Sequence, residues 1–133
     1  MTTTTTTKEN RLKITIGLTR TDRQANYVPA MDGYRPGAKQ DVIELEVEAP
    51  LAQPEGGWQA VEVGEAYFKA TNAPQEVIEA DPLALAVYRA LAEKVREQGG
   101  VKHRLEMFVG DTVSLDGGPL VSCERFGWKE VSA

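Results

Sequence analysis

The sequence predicts an α+β fold: a mainly antiparallel sheet of five to seven strands with one principal helix packed on one face. Three features point there. Leu12, Ile14, Ile16 and Leu18 recur at every second position, the pattern of a strand with one buried face. Ala84, Val87, Tyr88, Leu91 and Val95 recur at spacings of three and four, the pattern of a helix with one apolar stripe. From Leu105 to Val131 the chain breaks into short alternating runs. They are separated by Gly110-Asp111 and by Asp116-Gly117-Gly118-Pro119, residues that tolerate backbone conformations which branched side chains resist. Strand-like runs on both sides of a single helix fit this class better than a repeated strand–helix–strand unit.

At 133 residues the chain is expected to form one α+β domain over 11–133, preceded by a low-complexity polar tail over 1–10 that reads as disordered. The single cysteine, Cys123, excludes an internal disulfide, and the single histidine, His103, leaves no Cys/His zinc set. No apolar run approaches the ~20 residues of a membrane span. The opening threonine run lacks the basic and apolar regions of a secretory signal, so the expected compartment is the cytoplasm, with no membrane partner. A net charge of −5 argues against nucleic acid, whose phosphates are met by clustered Lys and Arg. It suits a monomer, a homo-oligomer or a protein partner with a basic surface equally well.

Between the first strand and the next alternating run, Thr19 to Lys39 is a long loop punctuated by Pro29, Gly33, Pro36 and Gly37. Its Tyr27, Tyr34 and Arg35 have the chemistry of interface hot spots, or else pin the loop to the body. In the second strand Ile43, Leu45, Val47 and Ala49 face the core. Glu44, Glu46 and Glu48 then share the opposite face, which is wet, paired with cations or used, because an unpaired carboxylate is expensive to bury. Trp58 to Thr71 reads as an extended run whose phase shifts at Gly64, a bulge or turn. Asn72 to Gln75 could open a helix, but Asp81-Pro82 is the stronger start and Gly99-Gly100 the stop. Val101 to Val109 alternates again, with His103 in the apolar parity. At the far end Trp128 is expected to close the last strand over the core beside Val113 and Leu115.

No phosphate-binding glycine loop, nucleophile elbow or metalloprotease motif occurs. Cys123 sits in a strand-like run and reads as packing. No catalytic, metal or cofactor residues are therefore assigned, and no cofactor is expected. The residues assigned to partner binding are Tyr27, Tyr34, Arg35, Glu44, Glu46, Glu48 and Trp58.

Val109-Gly110-Asp111-x-Val113, a short turn, a strand, then Gly127-Trp128 and Lys129-Glu130-Val131 resembles the YodL-like type of small uncharacterised proteins of phages and conjugative elements. Glu65 to Pro74 is similar to what precedes that module. The resemblance covers about half the chain and implies an accessory factor of a mobile element, with no catalytic residues to transfer. The expected function is non-enzymatic: binding and modulating another protein. Two alternatives stand beside it. One is a binder of a nucleotide signal at a subunit boundary around Tyr34, Arg35 and Trp58. The other is an acidic mimic of nucleic acid that uses the three glutamates.

Overall fold

Leu12, Ile14, Ile16 and Leu18 are all buried, and the strand they form, β1 (Arg11–Thr19), is the hub of the sheet. In the computed structural model, which describes residues 11–50 and 54–131, β1 lies between β2 (Gln40–Glu48) and β3 (Thr112–Leu115). Beyond β3 come β4 (Leu120–Glu124) and β5 (Gly127–Val131). The order is β2-β1-β3-β4-β5, and every neighbouring pair is antiparallel. The expected tail over 1–10 lies outside the described residues.

Register builds one apolar face. Ile14 lies opposite Leu45 and Leu115, Ile16 opposite Ile43 and Val113, and Val113 opposite Val121. A slip of one residue would turn this set outward. Ile14 and Ile16 are wholly buried, each contributing about 2 kcal/mol. The described helices are α1 (Pro29–Asp32), α2 (Ala60–Asn72), α3 (Gln75–Glu79) and α4 (Pro82–Glu97). Two of them cover the apolar face: α4 lies over β2, and α2 over β3 and β4.

The longest helix, α4, begins and ends where the sequence indicated. Asp81 caps it, accepting from the Leu83 and Ala84 amides at 3.1 and 3.2 Å, and Pro82 occupies its first turn. Gly99 follows with φ +86. Ala84, Val87 and Leu91 are buried, while Tyr88 of the same stripe reaches solvent.

The stretch read as extended, Trp58 to Thr71, is instead largely helical. Gln59 and Glu62 form a reciprocal capping box, and Val63, Ala66, Tyr67 and Ala70 make a buried stripe at helical spacing. Val63 and Ala66, of opposite parity, share that buried face, so Gly64 lies within a helix and marks no bulge. Asn72 ends α2 rather than opening a helix, and Pro74 precedes α3. The alternating segment Val101 to Val109 forms no strand. Only Met107 is fully buried, and Val101 is 66% exposed. The segment is held from α2: Tyr67 Oη donates to Leu105 O at 2.8 Å, and Asn72 Nδ2 donates to Met107 O at 3.1 Å. Side-chain tethers replace a ladder here.

At the β3 end of that segment sits a buried polar hub. Asp111 is fully buried. Its Oδ1 accepts from the Thr19 amide and its Oδ2 from the Phe108 amide, both at 2.8 Å. Arg104 Nη1 donates to Oδ2 at 2.8 Å, and Nη2 donates to Oδ1 at 3.3 Å and to Thr19 O at 3.1 Å. Hydrogen bonding to Asp111 holds the guanidinium pKa above its ordinary value against the opposing effect of burial. Gly110 has φ +95, and a side chain there would meet Pro29. The Val109-Gly110-Asp111 motif therefore joins β1, the segment before β3, and the loop carrying α1.

Candidate functional site

A cavity of about 580 Å³ forms an open groove between α2 and the β4–β5 hairpin. Positions outside the buried stripe of α2 supply one wall, with Phe68 on it and Glu65 and Lys69 beside it. Val77 of α3 closes one end, and Cys123, Gly127 and Trp128 form the other wall. Trp128 is half-buried opposite Cys123 in the β4–β5 ladder, with its indole against Gly64 of α2. It thus closes the last strand over α2, two strands away from Val113 and Leu115, the expected neighbours. Phe68 and Val77 are each 41% exposed. Arg125 and Phe126 make the two-residue hairpin turn next to the groove, and Phe126 is 94% exposed.

Charge lies at the rim. Lys69 Nζ is 2.8 Å from Asp81 Oδ2, so this cation is already paired. Glu124 accepts from Ser122 Oγ at 2.5 Å, and Glu65 is exposed. Burial, with smaller effects of Asp111 and Glu124, pushes the Cys123 thiol up to about 11. A thiol held protonated at neutral pH is a poor nucleophile. Among the described residues, no cluster of three or more His, Cys, Asp or Glu side chains is placed to hold a metal ion. Nor is any described helix long and apolar enough to cross a membrane.

The seven residues assigned from sequence fall in three places. Tyr27 is buried. Its hydroxyl donates to Gly33 O at 2.6 Å and accepts from the Arg35 amide at 3.1 Å, and the Arg35 guanidinium stacks 4.3 Å from its ring centroid. Tyr27 and Arg35 therefore tie down the loop, with Tyr34 half-buried beside them. Glu44, Glu46 and Glu48 line the exposed face of β2, and only Glu46 has a described cation partner, Arg11 at 3.7 Å. Trp58 packs at the start of α2 near Leu115, Asp116 and Pro119, close to the Lys13 end of β1. Tyr34 and Arg35 belong to the loop beyond Thr19, at the other end of that strand. Within one chain, Trp58 is not brought to Tyr34 and Arg35.

Sequence reasoning passed over Phe68, Val77 and Phe126 as site residues. Two signals pointed to the phenylalanines: an aromatic in a two-residue turn, and a phenylalanine outside the buried stripe once 60–72 is helical; Val77 carried none. No protein-family model, no curated protein and no solved structure matches the chain.

Proposed function

We propose that this chain is a small non-enzymatic accessory protein that binds and modulates another protein, docking it in the groove between α2 and the β4–β5 hairpin. The carrying observation is the exposed apolar surface there: Phe68, Val77 and Phe126 around the half-buried Trp128. Apolar patches rimmed by charge mark interaction sites, and aromatic anchors dominate their energetics. The protonated, buried thiol of Cys123 supports a binding role over a nucleophilic one. A nucleotide suits the groove poorly, since its phosphates would meet Glu65 and Glu124 while Lys69 is held by Asp81. The resemblance of 109–131 to phage and conjugative-element proteins supports an accessory role in a mobile element. The lone thiol Cys123 suits the reducing cytoplasm.

Affinity capture from host cells tests the proposal with Phe68→Asp and Phe126→Asp. Phe126 is almost fully exposed, so Phe126→Asp should stay within about 0.5 kcal/mol of the parent, whereas Phe68, 41% exposed within α2, should cost more, about 1 kcal/mol. Each variant should lose the protein that the parent retains. Equal retention by both variants would overturn the proposal.

A further inference from the structure

On the side away from the groove, the sheet ends at β2, whose only neighbour among the described residues is β1. The direction of its backbone groups follows from the ladder. Asp116 donates its N–H to Lys13 O, so Lys13, Thr15 and Gly17 turn their peptide groups toward β3. Leu12, Ile14, Ile16 and Leu18 then turn theirs toward β2, and the Arg20 N–H to Lys39 O bond continues the series. Their partners are Val47, Leu45, Ile43 and Asp41. The alternate residues Val42, Glu44, Glu46 and Glu48 must therefore direct their N–H and C=O groups outward, along an edge of about 20 Å. Long free edges are templates for pairing with another strand.

The side chains along this edge select what can pair. Val42 is 57% exposed, and Glu44, Glu46 and Glu48 lie exposed on the open face. Beside the edge a groove of about 460 Å³ runs between β2 and α4, lined by the apolar Leu45 and Ala90. Glu44, Glu46, Glu93 and Glu97 line it too, against the two cations Lys13 and Lys94. A second copy of β2 would set the glutamate row against itself, and like charges directly opposite are destabilising. A nucleic acid would bring phosphates of the same sign. The row guards the edge against its own kind and attracts the opposite charge.

We propose that the β2 edge docks an extended segment of another protein in which Lys or Arg alternates with apolar residues. The segment continues the sheet through the outward peptide groups of Val42, Glu44, Glu46 and Glu48, and its cations lie along the three glutamates. Pairing of this kind takes affinity from main-chain bonds and specificity from alternate side chains. The surface is separate from the Trp128 groove, so Phe126→Asp should leave it intact.

The probe is a short capped peptide in which lysine alternates with valine, titrated into the full chain and followed by amide hydrogen exchange. Exchange should slow by roughly tenfold or more at Glu44 and Glu46. Ile43 and Leu45, already bonded to β1, should not change. The same residues with the lysines in one block, or a peptide N-methylated on its edge-facing amides, should bind about tenfold or more weakly. Replacing the row together (Glu44→Lys, Glu46→Lys, Glu48→Lys) should lose the lysine peptide and gain a glutamate–valine one. Glu46→Gln, a milder change, should weaken the lysine peptide alone. Equal binding of the block peptide, or no protection at Glu44 and Glu46, overturns the proposal. So does protection of the edge that rises with protein concentration alone, which would mean a second copy occupies it.

Discussion

A methyl group at Gly64 would lie 2.6 Å from Cη2 of Trp128, so the absence of a side chain on α2 is what lets the indole of β5 approach. Alanine is the better helix former by about 1 kcal/mol, yet Gly64→Ala must displace a rigid ring. The expected outcome is a net loss of about 1 kcal/mol, read as a lower denaturation midpoint. In a Trp128→Ala background the same change should become stabilising by a similar amount. Gly64→Ala stabilising the parent would refute the close packing.

Asp111 is wholly buried, whereas the Arg104 side chain keeps 34% of its exposure. Asp111→Ala strands the Thr19 and Phe108 amides and leaves the guanidinium without its anion. A loss of about 3 kcal/mol is expected, the low end for a broken buried pair because Arg104 can reach water. Thermal unfolding checks it. A shift no larger than that of an ordinary surface substitution would contradict the hub.

Asp81 is one source of acid dependence. Burial pushes its carboxyl up, but the Lys69 ammonium and the Ala84 and Leu83 amides hold it, on balance, below its ordinary 3.8. A group depressed in the folded state stabilises above its unfolded pKa, and that stability fades as pH falls through the folded value. The parent should therefore lose stability below about pH 4 more steeply than Asp81→Asn, which keeps a capping oxygen. Superimposable acid-unfolding curves would count against it.

Tyr27→Phe removes the hydroxyl between Gly33 O and the Arg35 amide. The expected loss is about 1 kcal/mol, one buried hydrogen-bonding group. Partner capture should be unchanged if the tyrosine only secures the loop. Lost capture at parental stability would return Tyr27 to the interface.

The legible parts of the fold were those whose local pattern coincided with their environment. β1 and β2 alternate because one face is buried and the other wet, and α4 carries its cap, proline and terminal glycines in sequence. The stretch Ala60 to Asn72 was misread because α2 buries small residues, Gly64, Ala66 and Ala70, so its stripe is faint next to the strand-like Val61 and Val63. Val101 to Val109 has strand periodicity, but it leads directly into β3, whose two edges are taken by β1 and β4, and side-chain bonds from α2 hold it instead. Glu44, Glu46 and Glu48 stood out as an exposed row from parity alone. Phe68 and Phe126 did not, because their nearness depends on how α2 meets a hairpin that enters the chain some fifty residues later.

β1, which joins β2 to the rest of the sheet, precedes the other described strands in the chain. Its contact with β2 is local, but Lys13 meets Asp116 across 103 residues. Until Thr112 to Leu115 have left the ribosome, β1 has one satisfied side and one open side, and Ile14 and Ile16 lack Leu115 and Val113. Closing so long a loop late makes the final assembly step slow for a chain of this size. A nascent chain would therefore present the second edge of β1 to whatever else can pair with it until Thr112 to Leu115 cover that edge.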